Sequence, residues 1–129
     1  MRKLLLVTVV FVALVAFVGF NLIASATAHA QTTSMDGCVH QPTIDTLQAC
    51  VDHAADQGFI NNSGVTRSLL AKLDSAENAL SHGRTSGAIN TLNAFISEVR
   101  AQSGKYIVPI HAMHLVMHAQ LVIHALENM

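Results

Sequence analysis

The sequence is poor in charged residues and contains no cluster of basic ones. Only 12% of its 129 residues are Asp, Glu, Lys or Arg, and seven Lys and Arg stand against eight Asp and Glu. A protein that binds the phosphate backbone of nucleic acid usually carries a basic stripe or patch. The composition therefore argues against a nucleic-acid partner.

The motifs of common hydrolases and redox enzymes are also missing. There is no G-x-S-x-G motif for a serine nucleophile, and the two cysteines lack the C-x-x-C spacing of a redox site. A zinc protease needs a glutamate directly after the first histidine of its metal-binding pair. In the pair His114 and His118 that position is occupied by Leu115. These absences predict a protein that is not an enzyme.

The N-terminal segment, residues 1–30, predicts export. Arg2 and Lys3 precede an uncharged apolar run over residues 4–23, and Ala28-His29-Ala30 has the small-x-small pattern of a cleavage site. Cleavage after Ala30 would give a secreted or periplasmic chain. The apolar run is longer than that of most signal peptides, so an uncleaved anchor is the alternative. Only an uncleaved anchor would make the membrane a partner.

The two cysteines, Cys38 and Cys50, both follow the export segment. Export brings them into oxidising surroundings, so we predict a disulfide between them, with two reduced thiols as the alternative. In the chain-entropy account a loop of this length stabilises a domain by about 3 kcal/mol. That is a large part of the ~5–15 kcal/mol by which an ordinary domain is stable.

Hydrophobic periodicity after residue 41 predicts an all-α domain, a bundle of four antiparallel helices. Residues 31–41 lack periodicity and are expected to form a flexible lead-in, so the helical domain spans 42–129. Within the domain, apolar residues recur at intervals of three and four, which places them on one face of each helix. Turns containing Gly58, Gly83 and Gly104 separate the segments. The predicted helices cover residues 42–57, 63–82, 85–102 and 109–127.

Residues that favour helix starts support these limits. Pro42 is expected in the first turn of the first helix. Asn62 or Ser63 is predicted to cap the second helix, and Thr85 or Ser86 the third. The apolar faces together give a predicted core of Ile44, Leu47, Val51, Leu69, Leu73, Leu80, Leu92, Phe95, Ile96, Val99, Leu115, Val122 and Leu126.

Two long segments have a family-specific sequence. The chain resembles the FIMAH domain, a small helical module of exported bacterial and archaeal proteins, in SLLAKLDSAENAL at 68–80 and AINTLNAFISEVRAQSGKYI at 88–107. The resemblance extends to the preceding helix, with its Gly58-Phe59-Ile60 exit, and to the closing helix. It implies an exported helical domain, here as a stand-alone chain behind a signal peptide, and brings no catalytic residues. The cysteine pair and the histidines of the last helix depart from the family pattern.

The last helix is apolar around nearly its whole circumference. Besides its core face it carries Ile110, Met113, Met117 and Leu121 on the other side. A helix of this kind is usually sandwiched between neighbours or forms an interface. We therefore expect a non-enzymatic module, without a cofactor, that docks another extracytoplasmic protein or a second copy of itself through these residues.

The polar residues of the same helix support a second hypothesis. His111, His114 and His118 lie within a narrow arc, and His114 and His118 have the i, i+4 spacing that lets two imidazoles chelate one metal ion. Met113 and Met117 repeat that spacing beside them, and thioethers with imidazoles suit copper. The alternative function is therefore a small extracytoplasmic protein that binds copper or zinc. Histidines in this pattern can equally form the polar border of a buried helix.

Overall fold

The structure, a computed structural model, describes residues 38–39 and 41–129. The predicted export segment with its cleavage site after Ala30, and most of the predicted flexible lead-in, lie outside the described residues. The described chain forms four α-helices, namely α1 (Ile44–Asp56), α2 (Ser63–Ser81), α3 (Thr85–Gln102) and α4 (Pro109–Glu127). The predicted all-α class and its four helices are confirmed.

The four helices pack as an up-and-down bundle because their connections are short. Connections of three to six residues make consecutive helices run antiparallel. Each helix contacts the next along the chain, and α1 also contacts α4, so the four helices close into a ring. The most extensive interface is the one between α2 and α3.

One face of every helix supplies the core. Phe95, in α3, is the largest of the fully buried side chains. Every residue of the predicted core is buried except Leu80, which is half-buried in the last turn of α2. The prediction omitted Ile60 and Ile107, which lie in connections between helices and are nevertheless buried.

The first helix begins two residues later than predicted. Pro42 precedes α1, and Thr43 is the N-cap, whose hydroxyl oxygen accepts a hydrogen bond from the backbone N–H of Thr46 at 3.3 Å. This bond satisfies one of the N–H groups that a helix start leaves without an intrahelical partner. Asn62 does the same for α2, as predicted, by accepting from the backbone N–H of Gly64 at 2.9 Å.

The predicted Thr85 or Ser86 cap of α3 is wrong. Arg84 occupies the cap position, and within the described chain no side chain makes a capping bond to this helix. Gly83 adopts a left-handed conformation with φ 68°, which few residues other than glycine tolerate. The tight turn lets the Arg84 N–H donate to the Ala79 carbonyl at 2.8 Å. The turn is therefore stabilised by a carbonyl at the end of α2. Thr85 is already the first residue of α3 and is not its cap.

The two six-residue connections meet at one end of the bundle. The Asn61 N–H donates to the Tyr106 carbonyl at 3.0 Å, and next to this bond Ile60 and Ile107 form an isolated antiparallel bridge. Because both isoleucines are buried, the bridge also closes this end of the core. The pairing fixes the position of Phe59 relative to the start of α4.

Candidate functional site

The last helix, α4, places its methionines and its histidines in different surroundings. Met113 and Met117 are exposed to solvent. His118 is completely buried, and His111 and His114 are half-buried. The residues predicted as one copper-binding set are thus divided between an outer surface and the interior of the bundle.

The residues predicted for docking form one exposed row along α4, called here the apolar stripe: Ile110, Met113, Met117 and Leu121. Each of the four is between 49% and 53% exposed. Spacings of three and four residues keep them on one side of the helix. No charged residue occurs in α4 before Glu127. Among the helices of the described chain, none is both long and apolar enough to span a membrane.

On the other side, α4 faces α1 across a small cavity, called here the Cys/His cavity. Both cysteines of the sequence and four of its eight histidines lie around it, which makes it the main concentration of sulfur and imidazole groups. Sequence reasoning did not join the cysteines to the histidines, because only the packing of α1 against α4 brings them together. The lining residues are Cys38, Cys50, His53, Ala54, His111, His114, Leu115 and His118.

His118 is oriented by contacts with the start of the domain. Its Nε2 atom lies 2.6 Å from the carbonyl oxygen of Gln41 and 3.2 Å from the hydroxyl oxygen of Thr46. A carbonyl oxygen can only accept a hydrogen bond, so Nε2 is the donor and carries a proton. In the neutral ring the lone pair is then on Nδ1, an atom that is shielded from solvent.

His111 forms a wall of the cavity and is fixed by stacking. Its ring lies on that of Phe59, with centroids 3.7 Å apart and the planes inclined by 12°. His114 meets His111 edge-on at a centroid distance of 6.1 Å. Because the connection after α1 positions Phe59, the orientation of His111 depends on the pairing of the two connections.

The two cysteines line the same cavity, with Cys50 buried in α1 and Cys38 half-buried in the lead-in. Their common location agrees with the disulfide expected from the sequence, which stays a prediction. Over residues 38–39 and 41–129, no three His, Cys, Asp or Glu side chains converge as a preformed metal site requires. Copper or zinc binding therefore also stays a prediction.

Thiol titration tests the disulfide. Protein purified after export and denatured without reductant should show no reactive thiol, and reduction should then reveal two, because the chain has only two cysteines. Two reactive thiols before reduction would contradict the disulfide. The titration needs fresh protein handled without added oxidant, so that air oxidation during storage does not create the bond.

Comparison with known proteins places the domain in a family. The FIMAH domain matches residues 44–124, which is more than half of the chain. The chain belongs to the FIMAH domain family. The resemblance seen in the sequence is thereby confirmed, and FIMAH membership indicates a helical module of exported proteins. No curated protein and no solved structure matches the chain.

The FIMAH match includes the whole apolar stripe and nearly the whole Cys/His cavity. Of the residues that line the cavity, only Cys38 precedes the matched region. The FIMAH fold therefore supplies α1 and α4 as the two walls, and the lead-in adds one thiol-bearing residue to them.

Proposed function

We propose that this FIMAH domain is a non-enzymatic interaction module of an exported protein and that the apolar stripe is its docking surface. The carrying observation is the exposure of four large apolar side chains, 49–53% each, in one row along α4. An apolar row at spacings of three and four residues suits an amphipathic helix of a partner. The partner is another extracytoplasmic protein or a second copy of this chain.

The lack of charged side chains on α4 supports the proposal that a partner covers the apolar stripe. Because α4 has no Asp, Glu, Lys or Arg before Glu127, a partner covering the stripe would bury no charge, which is the costliest part of forming an interface. Met113 and Met117 lie in the middle of the stripe. Methionine side chains are flexible and adapt to irregular partner surfaces.

Export belongs to the same proposal. Residues 1–30 direct the chain out of the cytoplasm, cleavage follows Ala30, and the domain works in the periplasm or outside the cell without catalytic residues or a cofactor. FIMAH membership supports this location because the family is a module of exported proteins. The intact mass of the exported protein reports the cleavage position.

The docking surface is tested with the double variant Met113→Lys, Met117→Lys, which puts two charges into the stripe. Light scattering after size-exclusion chromatography should show self-association of the exported protein and its loss in this variant, if a second copy is the partner. The matched control is Ser75→Lys, Asn78→Lys, which adds the same charges at exposed positions of α2.

If the exported protein is monomeric, a photo-crosslinking residue at position 117 identifies the partner in cells of the source organism. The adduct should be a single exported protein, and it should disappear when Met113 is changed to lysine but not in the α2 control. A monomer that also gives no stripe-dependent adduct contradicts the proposed docking surface.

A further inference from the structure

The Cys/His cavity is not used by docking, and its lining has a specific chemistry. Six of its eight lining residues have side chains that bind transition metals. The cavity is small, about 10 Å³, which is close to the room that one water molecule needs. Such a space suits a single ion better than an organic ligand.

We propose that the reduced Cys/His cavity binds one Zn²⁺ ion through Cys38, Cys50, His114 and His118. Two thiolates and two imidazoles form one of the standard tetrahedral ligand sets of zinc. The ion would tie three parts of the chain together: the lead-in through Cys38, α1 through Cys50 and α4 through the two histidines.

His118 makes a hydrogen bond of the kind that orients zinc-ligating histidines. Its Nε2–H donates to the Gln41 carbonyl at 2.6 Å, which leaves Nδ1 as the ligand atom. Metal-bound histidines almost always donate their second ring N–H to a carbonyl or carboxylate, and this bond fixes the ring and its tautomer. The Nδ1 atom of His114, one turn earlier, is likewise shielded from solvent.

The remaining ligands follow from burial and contact. Cys50 is 2% exposed and lines the cavity from α1, opposite the residues of α4. Cys38 lines the same cavity from the lead-in. His111 is a wall rather than a ligand because its ring is stacked on Phe59. The methionines of the apolar stripe point to solvent and are not part of this site.

Binding requires movement of the Cys38, Cys50 and His114 side chains toward His118, whose ring stays fixed by its hydrogen bond to Gln41. In the part of the chain that is described, no three candidate ligands converge on one point, so the ion must draw them together. Cysteine and histidine side chains make such movements by changing between staggered rotamers. Zinc displaces one proton from each thiol to solvent, and the product holds Zn²⁺ between two thiolates and two neutral imidazoles.

The predicted disulfide uses the same two sulfur atoms, so zinc binding and disulfide formation exclude each other. Oxidised glutathione, acting by exchange, would accept two electrons and two protons from the thiols and become two reduced glutathione molecules. The protein would then keep only its imidazole ligands. We therefore expect the reduced protein to bind zinc and the oxidised protein to lose it.

Zinc titration against a chromogenic indicator tests the site in both redox states. The reduced exported protein should bind one zinc per chain, and oxidation should weaken binding by roughly tenfold or more. The variants Cys38→Ser and His114→Gln should show a similar loss, and both positions are half-buried, so the fold should tolerate the changes. Cobalt in place of zinc should give the strong visible and thiolate bands of a tetrahedral sulfur-containing site.

Two controls make the test specific. His124→Gln changes an exposed histidine of α4, and Met113→Lys, Met117→Lys changes the apolar stripe; neither should alter zinc affinity. Circular dichroism verifies the fold of each variant, and a variant that does not fold is replaced by the other cavity variant. Reduced protein that binds no zinc overturns the proposal, as does equal binding by the folded cavity variants. Loss of zinc binding in the stripe variant would also overturn the ligand assignment, whereas docking is judged separately.

Discussion

Replacement of Phe95 by alanine should lower the free energy of unfolding by about 3–5 kcal/mol. Phe95 is completely buried in α3, and it is the largest of the fully buried side chains. Truncation removes the apolar surface of the ring and leaves a cavity that neighbours on the other helices fill only in part. For a domain whose total stability is ~5–15 kcal/mol, this loss removes between about one fifth and all of the free energy of unfolding.

Urea unfolding followed by far-ultraviolet circular dichroism measures this effect. The midpoint should fall while the slope of the free energy against urea stays the same, because both proteins bury nearly the same surface. Ser97→Ala, at an exposed position of the same helix, is the control and should change stability by less than about 0.5 kcal/mol. A similar midpoint for the two variants would show that Phe95 does not anchor the core.

The fold was predictable because the helical pattern is local and strong. In α3, Leu92, Phe95, Ile96 and Val99 repeat at spacings that only a helix places on one face, and all four are buried. Helix starts were harder, because a cap depends on geometry that composition does not determine. Thr85 and Ser86 are good capping residues in general, but the left-handed turn at Gly83 starts α3 before either is needed.

The pairing of the two connections was not predictable in the same way. Ile60 and Ile107 are far apart in the sequence, and each stands in a short non-helical segment without a periodic pattern. Their burial comes from the backbone bond between Asn61 and Tyr106, which exists only once the helices have packed. One sequence feature could have indicated this pairing: in each connection, a pair of apolar residues that favour β-strands follows a glycine.

For the candidate sites too, features within one helix could be predicted from the sequence, and features that need several elements could not. The apolar stripe was predictable because all its members lie on one helix. The Cys/His cavity was not, since it needs α1, α4 and the lead-in together. The predicted joint copper set of Met113 and His114 relied on helical spacing, yet adjacent residues on a helix point about 100° apart, so one faces solvent and the other the cavity.

Replacing His118 by alanine should lower the free energy of unfolding by about 3–4 kcal/mol, even in the presence of a metal chelator. The imidazole is completely buried, so its removal leaves a cavity between α1 and α4. The change also removes the donor that Nε2 provides to the Gln41 carbonyl and the contact with the Thr46 hydroxyl. The first residues of the domain thereby lose their attachment to α4.

His118→Leu separates the two contributions, because leucine restores most of the apolar packing without restoring the hydrogen bond. It should cost about 1–2 kcal/mol, since the Gln41 carbonyl is on an exposed residue and can bind water instead. His124→Ala, an exposed histidine two turns later on the same helix, should change stability by less than about 0.5 kcal/mol. If His118→Ala unfolds at the same urea concentration as His124→Ala, the buried imidazole does not hold the start of the domain against α4. In that case the hydrogen bond from Nε2 to the Gln41 carbonyl, which orients Nδ1 for the proposed zinc ion, would also lose its support.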